Sequence, residues 1–353
     1  MIRFVSLFLA AALTLWAAPR PSLEKMIGQM VMVGFHGTRA GEAWPKQLRA
    51  QIKAGQVGGV VLYAYNVKDP MQLSDLTRLL HYSAVGLPLW MAVDQEGGQI
   101  QRLTAKKGFS DYPAAKDLAA KNQKTAAAAH YRNLACELRG YGFNFNFGPV
   151  VDLEINASSP AIGKLKRSYG PDAKTVTDFA EIFIKAHQGC GIATSLKHFP
   201  GHGSANGDTH EGLVDVTDTF SEAELEPFKT LIGKKLADSV MVAHVIDRAI
   251  DDRPAALSKK QIDRIREMGF DGVVISDDLQ MGAIREHYDF NETVLMAVEA
   301  GNDLLLFSNY FTPDPEIPVK VQAVLKAAVE SGRIDRARIE ASYRRIAALK
   351  NRR

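Results

Sequence analysis

Ile192-Ala193-Thr194-Ser195-Leu196-Lys197-His198-Phe199-Pro200-Gly201-His202-Gly203, running on to Asp208-Thr209-His210, joins two kinds of sequence. Residues 192–196 form an apolar run that reads as a buried strand. The glycines and the proline that follow oppose a regular helix, so the polar residues fall on a loop at the strand's C-terminal end. Three of the chain's nine histidines lie here with Lys197 and Asp208, which is too dense for a chance surface loop. A loop carried by a rigid strand is where chemistry tends to be placed.

The same pattern repeats in both directions. Apolar, β-branched-rich runs occur at residues 30–35, 57–63, 89–94, 143–152, 192–198, 239–244, 272–277 and 303–307. Most are near-continuously apolar, as strands buried on both faces are. Helix-like segments lie between them at 45–54, 70–85, 123–141, 172–189, 222–235, 259–268 and 291–300. Ser221 with Glu224 and Ser258 with Gln261 have capping-box spacing, and Gly269 and Gly301 stand where helices should stop. Eight strand–helix units predict a single-domain α/β fold, a (β/α)8 TIM-type barrel over residues 21–353. A doubly wound open sheet is the competing fold, but Gly97 and Gly98 after the third run lack the spacing of its phosphate-binding turn. The two C-terminal helices suffice to close and cover a barrel, not to build a second domain.

Composition narrows the function. The chain has 353 residues, 46% of them hydrophobic and 24% charged, with a net charge of +3. That balance, without basic runs interleaved with aromatics, speaks against nucleic acid as a partner. Cys136 and Cys190 are too few for a disulfide scaffold or a four-cysteine zinc site, and two free buried thiols are expected. Arg3 followed by an apolar run over 4–16 and Ala17-Ala18-Pro19 resembles a secretory signal. Residues 1–20 are therefore set apart as a signal peptide or an N-terminal anchor. Export to the periplasm follows, with no stable membrane association unless that segment is uncleaved.

A barrel makes a statement about polar residues: those at the C-terminal ends of its strands converge on one face. Asp94, Asp152, Lys197 with His198, His244, and Asp277 with Asp278 end five successive runs. Neighbours on a strand point oppositely. Asp277 is accordingly the nucleophile candidate, and Asp278 is expected to start the next helix as its cap. Asp94, Glu96 and Arg102 suit a polyhydroxylated ligand, with a structural ion pair an almost equal reading for Glu96. Arg167 lies among other cations and reads alone as a surface charge.

Six segments carry a resemblance: Ala92-Val93-Asp94-Gln95-Glu96-Gly97-Gly98, Phe147-Gly148-Pro149-Val150-Val151-Asp152, Arg167-Ser168-Tyr169-Gly170, Lys197 to Gly203, Asp208-Thr209-His210, and Ser276-Asp277-Asp278-Leu279-Gln280-Met281. Their identity and order resemble family 3 glycoside hydrolases, of the single-domain bacterial β-N-acetylglucosaminidase type. The resemblance implies a retaining hydrolase without cofactor or metal. Asp277 would be the nucleophile, His210 the acid/base and Asp208 its partner. Asp94, Arg102, Arg167, Lys197 and His198 would bind the sugar. Lys164-Leu165-Lys166 between Gly163 and Arg167, Tyr169 where the family often has Phe, and Gln99 where Arg is common are departures.

The physics of a histidine acid/base stands by itself. Its pKa lies near neutrality, so it can protonate a leaving oxygen and later deprotonate water. Glycines 201, 203 and 207 would let its loop close and withdraw. A carbohydrate containing N-acetylglucosamine is the expected partner, and the enzyme is expected to act as a monomer. Enzymes of this type usually recycle cell-wall fragments in the cytoplasm of Gram-negative bacteria. The leader-like segment shifts the expected role here to peptidoglycan turnover outside the inner membrane. The competing activities are a β-glucosidase or an N-acetylglucosaminide phosphorylase on the same fold. A metal-dependent hydrolase using His198, His202, Asp208, His210 and His244, or a non-catalytic glycan-binding barrel, would be a different class.

Overall fold

In the computed structural model, which describes residues 21–352, eight parallel strands form one sheet. They are β1 (Val31–Val33), β2 (Gly59–Leu62), β3 (Trp90–Val93), β4 (Phe145–Asn146), β5 (Ala193–Phe199), β6 (Ser239–Val242), β7 (Val273–Ser276) and β8 (Leu305–Phe307). β1 pairs with both β2 and β8, and the remaining strands follow in chain order. A parallel bridge from Ile275 to Leu304 joins β7 to the β8 segment and closes the ring. The expected (β/α)8 barrel is therefore observed. Every residue of these eight strands is buried, which is why their sequences read as unbroken apolar runs. The leader-like segment, residues 1–20, lies outside the described residues. Among the described residues no helix is long and apolar enough to cross a membrane.

Local chemistry sets the helix starts. Asp69 and Asp172 accept hydrogen bonds from the backbone amides of Gln72 and Thr175, capping helices Pro70–His81 and Ala173–Gly189. Ser221 and Glu224 do form a capping box, but on a short 3-10 turn, Glu222–Leu225, that leads into helix Glu226–Gly233. Ser258 caps Lys259–Glu267 from one side only, by accepting from the Gln261 amide. The fourth run is the largest departure from expectation: of residues 143–152 only Phe145–Asn146 pair as a regular strand. Gly148 and Pro149 interrupt the ladder, and Val150 then regains a single bridge to Lys197.

Helix Ile317–Glu330 packs beside helix Phe290–Ala300 on the flank of the barrel, and helix Arg336–Lys350 covers the end opposite the site. Lys350 Nζ donates to Gln29 Oε1 at 2.7 Å and to the Gly58 carbonyl at 2.6 Å, tying the last helix to the starts of β1 and β2. Fully buried Asp303 accepts from Arg266, Arg338 and Arg345 beneath β8. These contacts anchor the closed end and leave the other end to loops.

The two cysteines are not free thiols. Cys136 and Cys190 form a disulfide, with Cα atoms 5.3 Å apart. The first lies in helix Lys124–Gly140 and the second caps the C-terminus of Ala173–Gly189. Successive barrel helices run parallel, so two positions near their C-terminal ends meet although 54 residues separate them. Closing a loop of that size restricts the unfolded chain, so Cys136→Ser with Cys190→Ser is expected to cost about 2–4 kcal/mol. Urea unfolding of oxidised wild type against the double variant measures it; equal midpoints would show that the bridge adds no stability.

Candidate active site

The eight residues to which the resemblance gives catalytic or sugar-binding roles all line one cavity of about 550 Å³ at the C-terminal end of the barrel. Its floor is a chain of alternating charges. Lys197, only 1% exposed, donates from Nζ to Asp94 Oδ1 at 2.8 Å and reaches Glu96 Oε1 at 2.6 Å. Glu96 also accepts both arms of the Arg167 guanidinium, from Nε at 2.9 Å and Nη2 at 2.8 Å. On the far side Arg102 Nη2 stands 3.4 Å from Asp94 Oδ2. Burial opposes charge on both carboxylates, yet their cations outweigh it: Lys197 and Arg102 hold Asp94 below the usual range, and Arg167 and Lys197 hold Glu96 well below it. Arg167 is thus no surface charge, and the structural reading of Glu96 is met, since it spends its acceptors on Lys197 and Arg167.

His198 extends the chain. Arg167 can only donate, so its Nη2, 3.2 Å from His198 Nε2, makes that nitrogen an acceptor and puts the ring proton on Nδ1. Nδ1 then donates to Asp152 Oδ2 at 2.7 Å. Asp152 is fully buried and also accepts from the His198 and His202 amides. Burial raises its pKa, but the His198 ring and these donors keep it low. Consecutive residues Lys197 and His198 both reach the site because β5 loses regular register against β6 between Leu196 and Phe199.

His210 is carried on an arm that returns over the cavity. Its Nδ1 donates to Asp208 Oδ1 at 2.6 Å, and the same carboxylate oxygen accepts the His210 amide at 3.0 Å. With Nδ1 so occupied, Nε2 is the nitrogen left to meet a ligand. Burial lowers the His210 pKa, but the Asp208 hydrogen bond and charge, with that of Asp277, raise it overall; His210 in turn lowers Asp208 to about 2. Buried Glu224 accepts from the Gly203 and Ser204 amides at the arm's root. Gly203 has no alternative there, since a Cβ would lie 1.6 Å from the Leu153 carbonyl oxygen. At its tip the arm is hydrogen-bonded through backbone: the Gly282 amide donates to the His210 carbonyl at 3.3 Å and the Ala283 amide to that of Thr209 at 3.2 Å. His202 is buried at the arm's base, with Nε2 3.4 Å from Thr209 Oγ1, and braces the loop there.

Asp277 follows β7, and its amide donates to the Val242 carbonyl at 2.9 Å. Burial opposes its charge, but His244, His198 and His210 keep its pKa below the ordinary value. Asp278 is different in kind. It accepts from the Gln280 and Ser308 amides, and burial, with Asp277 beside it, raises it to about 6. It does not cap the following helix, Gly282–Arg285, whose N-cap is Met281; it ties the β7 turn to β8. Among the described residues no group of three His, Cys, Asp or Glu side chains is arranged to hold a metal ion.

Sequence reasoning did not single out the aromatic wall of the cavity: Tyr63 and Tyr65 after β2, and Tyr310 and Phe311 after β8. The signal was present, because Tyr63 ends one apolar run with Tyr65 just beyond it, and Tyr310 and Phe311 stand shortly after another. Ionisable strand ends drew attention away from uncharged ones.

The family model described as Glycosyl hydrolase family 3 N terminal domain matches residues 22–349. A beta-hexosaminidase of Nitrosomonas eutropha is 34% identical over 325 residues, covering 88% of this chain and 90% of that one. A beta-hexosaminidase of Alkalilimnicola ehrlichii is 36% identical over 307 residues, covering 84% and 83%. Among solved structures, a family 3 beta-N-acetylglucosaminidase from a Paenibacillus species superposes with a TM-score of 0.86 at 36% identity. That match covers 94% of this chain but only 63% of the other, which is longer. A beta-N-acetylhexosaminidase from Beutenbergia cavernae gives a TM-score of 0.85 at 30% identity, over 94% of this chain and 99% of that one.

The charge chain predicts that its members fail together. Lys197→Ala leaves Asp94 and Glu96 facing each other without their shared cation. Removing one partner of a buried pair costs about 3–5 kcal/mol. Urea unfolding at neutral pH measures the loss, and a change below about 1 kcal/mol would contradict the pairing described.

Proposed function

The chain belongs to glycosyl hydrolase family 3 and is a glycoside hydrolase, and we propose that it is a retaining, exo-acting β-N-acetylglucosaminidase acting on peptidoglycan-derived glycans. The observation that carries this is the pairing, across one cavity, of an ionised Asp277 with a His210 whose proton affinity Asp208 raises. A retaining mechanism needs a nucleophile on one face of the sugar and a proton donor on the other. Asp277 forms a bond to the anomeric carbon as the glycosidic bond breaks, and the leaving oxygen takes the proton from His210 Nε2. The neutral imidazole then takes a proton from water, whose oxygen attacks the anomeric carbon and releases Asp277. Two displacements restore the β configuration. Asp94, Arg102, Arg167, Lys197 and His198 grip the sugar's hydroxyls and acetamido group with donors and acceptors already fixed by one another.

Cellular placement belongs to the same proposal. The leader-like residues 1–20 and the Cys136–Cys190 disulfide both suit an oxidising compartment outside the inner membrane. Turnover of peptidoglycan in the periplasm is the role that follows.

Asp277→Ala is expected to lower hydrolysis of an aryl β-N-acetylglucosaminide by roughly a thousandfold or more. A 5-fluoro N-acetylglucosaminyl fluoride is expected to label the Asp277 peptide by mass. Label on another peptide, or full activity in the variant, would refute the assignment.

The pH profile tests the donor. His210 must be protonated in the free enzyme, so its raised pKa extends activity upward in pH. Asp208→Asn removes that support and is expected to move the alkaline limb of kcat/KM to lower pH, leaving the acid limb in place. A loss of about tenfold or more at pH 8 is expected; an unmoved alkaline limb would show that Asp208 does not tune the donor.

A further inference from the structure

The aromatic wall is one continuous row. The ring of Phe311 lies 6.0 Å from that of His210, Tyr310 5.2 Å from Phe311, and Tyr65 6.0 Å from Tyr310, stacked within 24°. His36 continues it, stacked on Tyr65 at 4.6 Å, and Trp44 follows 5.3 Å beyond. The row therefore leaves the cavity beside the proton donor. Three cations border it: Arg285 covers Phe311 at 5.1 Å, Arg102 stands 5.7 Å over the Tyr63 ring, and the Lys107 ammonium donates to the Ala64 carbonyl between Tyr63 and Tyr65.

Three features distinguish it from surface aromatics that happen to touch. First, its backbone is fixed by two buried asparagines. Asn66 accepts the Tyr63 amide and donates to the Phe35 and Gly37 carbonyls, binding the β2 loop to the β1 loop. Asn309 donates to the Gly34 carbonyl, and its own carbonyl lies 2.9 Å from His36 Nε2, binding the β8 loop to the same place. Second, Tyr310 is 56% exposed within this rigid frame, so a large apolar face is held open to solvent beside the cavity. Third, the Tyr65 hydroxyl is buried with no hydrogen-bond partner among the described residues. Burial holds it protonated, so it is a donor that lacks an acceptor.

We propose that Phe311, Tyr310 and Tyr65 form a platform for the leaving-group side of the substrate, taking the pyranose rings of a β-linked oligosaccharide beyond the scissile bond. The direction rests on the proposed function, in which His210 protonates the leaving oxygen; what lies next to His210 is then next to the leaving group. The occupant follows from the chemistry of the row. A pyranose with equatorial substituents offers an apolar C–H face to an aromatic ring and hydroxyls at its rim. Such a rim hydroxyl would give the Tyr65 donor its acceptor. A stem peptide lacks the flat C–H face that would lie on successive rings. The chain is therefore specialised for oligosaccharides over glycosides of a single sugar.

The test compares kcat/KM for methyl β-N-acetylglucosaminide with that for β-1,4-linked N-acetylglucosamine di-, tri- and tetrasaccharides. Wild type is expected to rise at least fivefold from the disaccharide to the trisaccharide. Tyr310→Ala is expected to lower the trisaccharide-to-methyl-glycoside ratio at least fivefold, chiefly through KM, and Tyr310→Phe to restore it. Circular dichroism and thermal melting confirm that the variants fold. A flat length dependence in wild type, or a ratio unmoved by Tyr310→Ala, overturns the platform while leaving the proposed hydrolysis intact. A peptide-bearing substrate preferred over the plain oligosaccharide through Tyr310 overturns the sugar as occupant. Inactivity of wild type on every glycoside, methyl and oligomeric alike, overturns the proposed function and the platform with it.

Discussion

Lys197 is the ion on which the open end of the barrel depends. It is an ammonium group removed from water, and two carboxylates compensate it. Each of those is in turn compensated by an arginine, and one arginine passes the chain on to His198 and Asp152. Desolvating any one of these charges alone would cost several kcal/mol; together they satisfy one another. The arrangement brings segments from β3, the β4 loop and β5 to fixed positions before any ligand arrives. Binding can then proceed without ordering the side chains that do the binding, which is where affinity and rate are commonly lost.

Against this fixed floor, the donor is placed differently. Asp277 sits at the end of a barrel strand, but His210 is presented by a long excursion between β5 and β6. The excursion is rooted by Glu224 and docked at its tip by two amide–carbonyl bonds. One catalytic partner is thus part of the scaffold and the other is attached to it. The two share electrostatics all the same, since each group's charge favours the ionised form of the other.

Much of this was legible in the sequence, for a physical reason. Strands buried on both faces read as apolar runs, and in a parallel barrel their C-terminal ends share one face, so Asp94, Lys197 and Asp277 announce a site before any coordinates exist. What stayed hidden depends on the meeting of distant segments. Arg167 looks like one cation among several until Glu96, 71 positions away, is placed against it. Cys136 and Cys190 look unpaired until two helices lie side by side. The aromatic row draws on the β1, β2 and β8 loops, and no single residue in it is unusual where it stands. The apolar sequence of the fourth strand continues through Gly148 and Pro149, where the carbonyls still accept from Ser195 and Lys197 but the Gly148 amide turns back to Asn146 and Pro149 has none to donate, so the regular ladder stops.

The backbone docking of the arm bears on how such an enzyme changes over generations. Neither bond at the tip uses a side chain of residues 209, 210 or 283. Exchanging the proton donor for another acid changes its bond to Asp208 and its contact with Phe311 but leaves both backbone bonds available, so the reacting group is a replaceable part on a bracket that does not depend on it. The exception is Gly282, where a Cβ would come within 2.8 Å of the His210 carbonyl oxygen. Drift in the chemistry is open at position 210 and closed at position 282, and a lineage that alters its donor must keep the glycine that receives it.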